Sequence, residues 1–171
     1  MILLKNGRGQ LGTSLANIIS QSNYTYSIKD IFIYHTWDMA NKNDEEIQKN
    51  CLSKFKIFVD ENKDNKIVFI STYSEQNNLY NLYKQKAEGY LLANHDSGII
   101  IKLPVLLGKG ICQKLKDKKV DPYGDIELMT LEEAATSIIF HAGTKNKNRN
   151  RIYRLNGTNI PATLVSALLH F

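Results

Sequence analysis

The apolar run Ile2-Leu3-Leu4 leads directly into Asn6-Gly-Arg-Gly-Gln-Leu-Gly12, and no other stretch constrains the fold as much. Gly7, Gly9 and Gly12 have the G-x-G-x-x-G spacing of a strand that turns sharply into a helix. Glycines there let the backbone approach a pyrophosphate, and the helix N-terminus faces its negative charge. By itself the motif is weak, because glycine-rich turns serve many strand-to-helix junctions. Its value depends on the order of the residues downstream of it.

The remainder of the chain alternates between strand and helix, the pattern of an α/β fold with a parallel sheet. Strands are predicted at residues 2–5, 31–34, 67–72, 99–103 and 152–155. Between the first two, Leu11, Leu15, Ile18 and Ile19 lie at helical spacing. Asp44 opens a second helix, with acidic residues in its first turn and Ile47, Cys51, Phe55 and Phe58 on one face. Further helices are predicted from about Asn78 to Leu92, from Leu131 to His141, and after Pro161. Pro104 stops the strand before it.

A chain of 171 residues fits one domain, residues 1–171, with a single core. Hydrophobic residues make up 43% and charged residues 23%, an ordinary globular composition. Cys51 and Cys112 match no metal-ligand spacing and are too few for a disulfide framework, so a cytoplasmic location is expected. No apolar run is long enough to cross a membrane, and the start is too short for a signal peptide. The net charge of +5 raises the question of nucleic acid. Its basic runs, 114–119 and 145–151, carry no interleaved stacking aromatics and read as solvated loops. No nucleic-acid partner is expected.

Tyr80 and Lys84 are four apart, which puts both on one face of a helix. A nearby ammonium favours the phenolate and makes tyrosine a usable general acid/base. Thr72, or Ser71, at the end of the preceding strand would bond the same substrate oxygen. With 9 tyrosines in a lysine-rich chain, about one such pair is expected by chance. The pair alone decides nothing.

The ordered set decides more. Residues 2–12, Asp30 to Trp37, Asn50, Val68 to Thr72, Tyr80-x-x-x-Lys84 with Ala87-Glu88, and Ile101 to Pro104 with Gly108 occur in sequence. Together they resemble the extended short-chain dehydrogenase/reductases acting on nucleotide sugars, including dTDP-4-dehydrorhamnose reductases, epimerases and dehydratases. The segments at 128–135 and 152–157 are similar to that family's closing elements. The resemblance implies a Rossmann-like parallel sheet, NAD or NADP as cofactor, a nucleotide-sugar substrate, a role in surface-glycan biosynthesis, and a homodimer. It implies that Tyr80 is the acid/base and that Lys84 binds the nicotinamide ribose and lowers the tyrosine pKa. Thr72 would hold the substrate oxygen, and Asn50 would support a relay water. Gly7, Gly9, Gln10, Leu11 and Gly12 would border the pyrophosphate, Thr36 and Trp37 the ribose, and Pro104 the nicotinamide amide. Simpler readings stand beside these: Asn50 as an exposed helix residue, Trp37 as core packing, Pro104 as a strand terminator. The four histidines have no ligand spacing, and no metal site is expected.

The chain departs from the family in two places. Between Gly12 and Asp30 there is room for one helix, where the family places two further strands and a second helix. The fold is therefore expected to be truncated, with the second and third family strands largely missing and the adenosine pocket reduced. If the first helix leads straight to the strand at Asp30, a right-handed crossover would move it to the other sheet face. A left-handed crossover or strand exchange between subunits would avoid that. The interval from Thr72 to Tyr80 is also short, leaving less cover over a substrate. These departures motivate an alternative, a cofactor-poor binding or partner protein that kept the fold.

Overall fold

In the computed structural model, the described residues are 2–5, 9–21, 30–74, 76–108, 111–117, 124–144 and 151–168. The elements run β1 (Ile2–Lys5), α1 (Gly9–Gln21), β2 (Ile31–Tyr34), α2 (Glu45–Glu61), β3 (Lys66–Thr72), α3 (Leu79–Asn94) and β4 (Ile99–Leu103). They continue as β5 (Val105–Leu107), α4 (Ile111–Lys116), β6 (Asp125–Thr130), α5 (Leu131–Gly143), β7 (Ile152–Arg154), β8 (Thr158–Pro161) and α6 (Ala162–Leu168). The main sheet has the order β1-β2-β3-β4-β7, and every pair in it is parallel. A smaller sheet, β5-β6-β8, pairs β6 with β8 antiparallel.

Strands covered on both faces read as continuous apolar runs, and β3 and β4 do. Val68, Ile70, Ile99 and Ile101 turn to one face, where they pack with Leu15 of α1 and Ile138 and Ile139 of α5. Ile67, Phe69 and Ile100 turn to the other, against Phe55, Phe58 and Val59 of α2 and Ala87 and Leu91 of α3. The helix starts reflect local chemistry. The carboxylate of Asp44 accepts from the Ile47 amide at 3.0 Å, and Asn78 accepts from the Asn81 amide at 2.8 Å. Thr130 and Glu133 form a reciprocal capping box at the start of α5.

The position of α1 settles one question that the sequence leaves open. The connections β1-α1-β2, β2-α2-β3 and β3-α3-β4 all step the same way across the sheet. Yet α2 and α3 cover one face and α1 covers the other, beside α5. The first crossover therefore has the opposite hand to the next two. Since simple parallel crossovers are right-handed in nearly all cases, β1-α1-β2 is left-handed. The truncated half of the sheet keeps α1 against α5 and leaves β1 at the edge of the described sheet.

Two expectations from the sequence need correction. The basic run 114–119 is not a loop at its start, because residues 114–116 belong to α4. Arg151 is not a solvated loop residue: its guanidinium donates to the carbonyl oxygens of Gly98 (2.8 Å), Leu92 (2.9 Å) and His95. It ties the end of α3 to the entrance of β4 and β7. His95 is a packing residue, buried, with Nε2 3.2 Å from the Asn62 carbonyl oxygen.

Candidate active site

The C-terminal ends of β1, β2 and β3 converge with the N-termini of α1 and α3, the place where open parallel sheets bind ligands. Gly9 enters α1 at φ +79°, a left-handed conformation in which a side chain would be strained. Gly12 is buried one turn later. Gly7 lies outside the described residues.

Gly9, Gln10, Leu11 and Gly12 form one wall of an open cleft of about 760 Å³. The end of β2 supplies Tyr34, His35, Thr36, Trp37 and Asp38, and α2 supplies the opposite wall. That volume lies in the range of small-molecule sites. Of the proposed cofactor residues, Gly9, Gln10, Leu11, Gly12, Thr36 and Trp37 are brought together here. Pro104 is buried between β4 and β5 and does not line the cleft. Gln10 closes against the second sheet, where a Cβ at Gly108 would strike its side chain.

Tyr80, Lys84 and Thr72 do not line this cleft; the pair meets it through Trp37, whose ring centroid lies 5.8 Å from the Lys84 ammonium. The backbone amide of Tyr80 donates to the Lys42 carbonyl oxygen at 2.8 Å, which fixes the first turn of α3. Lys84 is buried one turn later, and its Nζ donates to the Ile70 carbonyl oxygen at 2.8 Å. Aromatic rings surround this ammonium, with centroids at 5.3 Å (Tyr80), 5.3 Å (Phe69) and 5.8 Å (Trp37). Trp37 thus belongs to both the cleft and the core, with its Nε1 donating to Gln48 at 2.7 Å. The Thr72 hydroxyl accepts from the Ser74 amide at 3.1 Å. Asn50 is exposed on α2 and does not line the cleft.

The electrostatics differ from those the resemblance implies. Burial pulls the Lys84 ammonium down to about 7, against the opposing pull of the Glu88 carboxylate. Burial also pushes the Tyr80 phenol up to about 12. Desolvation is the cause of this shift, so the phenol is held as a proton donor and not as a phenolate. Glu88, one turn beyond Lys84, accepts from the Ser71 hydroxyl at 2.5 Å and pairs with Lys102 at 2.8 Å. This buried network anchors β3 and β4 to α3.

Sequence reasoning missed a second cluster beyond Thr72. The Arg154 guanidinium stacks 3.9 Å from the Tyr73 ring centroid and lies 3.5 Å from Glu127, which accepts from the Gly157 amide at 2.7 Å. Burial and the adjoining Glu127 push the Tyr73 phenol up to about 12. It also missed the α2 wall of Cys51, Lys54, Ile57, Phe58 and Glu61. Spacing at three and four was the available signal, but it reads equally as core.

No protein-family model matches the chain, and no curated protein matches its sequence. Solved structures do match in fold. A dTDP-4-dehydrorhamnose reductase from Bacillus anthracis in complex with NADP superposes with a TM-score of 0.76 at 12% identity, covering 98% of this chain and 79% of that one. The enzyme WbmG from Bordetella bronchiseptica, solved with NAD and UDP, gives 0.75 at 9% identity, with 98% and 76% covered. A dTDP-glucose 4,6-dehydratase from Bacillus anthracis in complex with NAD gives 0.72 at 11%, with 98% and 79% covered. The chain therefore has the Rossmann-like fold of these enzymes in shortened form.

Proposed function

We propose that this chain is an NAD(P)-dependent enzyme modifying a nucleotide sugar for surface-glycan biosynthesis, of the 4-keto reductase, epimerase or dehydratase type. One observation carries the reading: Tyr80 and Lys84 lie one turn apart on α3, and the Lys84 ammonium sits 5.8 Å from the ring of Trp37, which lines the cleft that begins at the Gly9–Gly12 turn. The left-handed entry at Gly9 and the N-terminus of α1 suit a diphosphate, while the nicotinamide half has Thr36 and Trp37 beside it. A bound nicotinamide supplies or accepts hydride at the substrate carbon.

The chain's own residues supply the proton chemistry. A phenol held protonated by burial donates to a carbonyl oxygen as negative charge develops there, so the reductive direction suits Tyr80 best. Lys84, fixed behind the ring by the Ile70 carbonyl, stabilises the phenolate left after transfer. The Thr72 hydroxyl, at the end of β3, orients the same oxygen. Tyr80→Phe is expected to abolish turnover while leaving cofactor binding intact; turnover surviving that change overturns the assignment.

A second reading has its own support. Only nine residues separate Gln21 from Ile31, too few for the two strands and helix that carry the adenosine pocket in the resembling family. A partner protein without cofactor would retain this fold. A thermal-shift screen with NAD, NADP, UDP-sugars and dTDP-sugars separates the two. Stabilisation by a dinucleotide supports the enzyme, and none by any ligand supports the partner.

A further inference from the structure

The α2 wall of the cleft has no part in the chemistry above. Cys51, Lys54, Phe58 and Glu61 succeed one another at intervals of three and four, with Ile57 alongside, so they form one stripe of the helix. From 51 to 61 that stripe runs about 15 Å along the axis. It starts at the strand ends, because α2 leaves the end of β2 and returns to the start of β3. Lys54 therefore stands nearer the reacting end than Ile57, and Glu61 stands farthest away.

The chemistry changes along the stripe. Ile57 is 53% exposed although it is apolar, while Phe58 beneath it is 5% exposed. Both line the cleft, so this part of its wall is apolar. Lys54 is exposed and faces the same space as Gly9 and Gln10. A cation followed by an apolar wall, leading away from a glycine turn, matches a phosphate followed by a base.

We propose that α2 receives the adenosine end of the dinucleotide, in place of the strands missing between α1 and β2. The adenine lies on Ile57 and the edge of Phe58, and the Lys54 ammonium meets the phosphate on the adenosine side. This rests on the cofactor reading above. It explains how a cleft with a truncated sheet still holds a whole dinucleotide: a helix surface replaces a strand edge.

The experiment is a fluorescence titration with NADPH and with reduced nicotinamide mononucleotide, which has the same fluorophore and no adenosine. Wild type is expected to bind NADPH at least about tenfold more tightly than the mononucleotide. Lys54→Glu and Ile57→Asp should each weaken NADPH by about tenfold. Ile57→Asp should leave the mononucleotide within about twofold of wild type, the scatter expected of an untouched site. Both side chains are exposed, so circular dichroism and melting of the variants should match wild type. NADPH binding that is unchanged in both variants overturns the inference and spares the cofactor reading. So does a wild type that binds the two ligands equally. Failure of wild type to bind any of the mononucleotide, NADPH, and NADH titrated alongside them overturns the cofactor reading itself, and the inference with it.

Discussion

The Lys84 ammonium nitrogen lies 5.3 Å from the centroid of the Tyr80 ring, yet it makes its hydrogen bond to the Ile70 carbonyl oxygen at 2.8 Å. The pair is close in space but electrostatically loose. Burial pushes each group towards its neutral form, the phenol up and the ammonium down. Burial therefore holds the phenol protonated and weakens the charge on its lysine neighbour.

Stability should record this directly. The folded pKa of Lys84, about 7, lies below its ordinary value of 10.5, so the unfolded chain binds more protons between those limits. Stability must then rise as pH increases across that window. Urea unfolding at pH 7 and pH 9 should show wild type gaining on Lys84→Met by up to about 1.4 kcal/mol per pH unit. Tyr80 acts the other way, but only above pH 10, where the unfolded phenol ionises first. Parallel pH profiles for the two proteins would contradict the buried, depressed ammonium.

Glu88 should matter more than its place outside the cleft implies. It accepts from Ser71 and pairs with Lys102 while nearly buried, so removing its charge leaves the Lys102 ammonium without its partner. Glu88→Gln is expected to cost about 1–3 kcal/mol in urea unfolding. A cost under about half that lower bound would mean that the network adds little to the fold.

Much of the main sheet was legible in the sequence, because its strands are apolar on both faces and its helices are capped by residues of the right type. The second sheet was not. Val105 and Leu107 are exposed around a half-buried Leu106, a three-residue alternation too short to separate from a loop after Pro104. The hand of the first crossover was equally hidden, since it depends on which sheet face Leu15 reaches and not on its helical spacing. Tyr80, Lys84 and the glycine turn were singled out through their order. The α2 wall escaped because Phe58 and Cys51 also look like core. Arg151 escaped because it ends a basic run, and a charge run reads as a solvated loop whichever carbonyls one of its members reaches.

The left-handed crossover predicts a specific energetic coupling. Leu15 is fully buried in the cluster that holds Ile138 and Ile139 of α5. Leu15→Ala should cost about 2–5 kcal/mol. In a double-mutant cycle it should couple to Ile139→Val by more than about 0.5 kcal/mol, and not to Phe58→Leu on the other face. Coupling to Phe58 instead would place α1 on the wrong side.

Gly157 offers a local test of the second sheet. A Cβ there would run into the backbone of Leu128, which cannot move aside as a flexible side chain could. Gly157→Ala should separate β6 from the turn before β8 and cost about 1–3 kcal/mol in thermal or urea unfolding. It should also loosen the Glu127 bond to the Gly157 amide. Gly89→Ala, with open space at its Cβ, is the control and should be neutral or slightly stabilising.

The central claim is that the cleft between the Gly9–Gly12 turn and α2 holds a nicotinamide dinucleotide. Isothermal titration calorimetry of the intact chain with NADH and NADPH tests it most directly. Binding of at least one of them in the micromolar range, one per chain, is the predicted result. No heat from either, at concentrations up to a millimolar, contradicts the claim and leaves the fold without its cofactor.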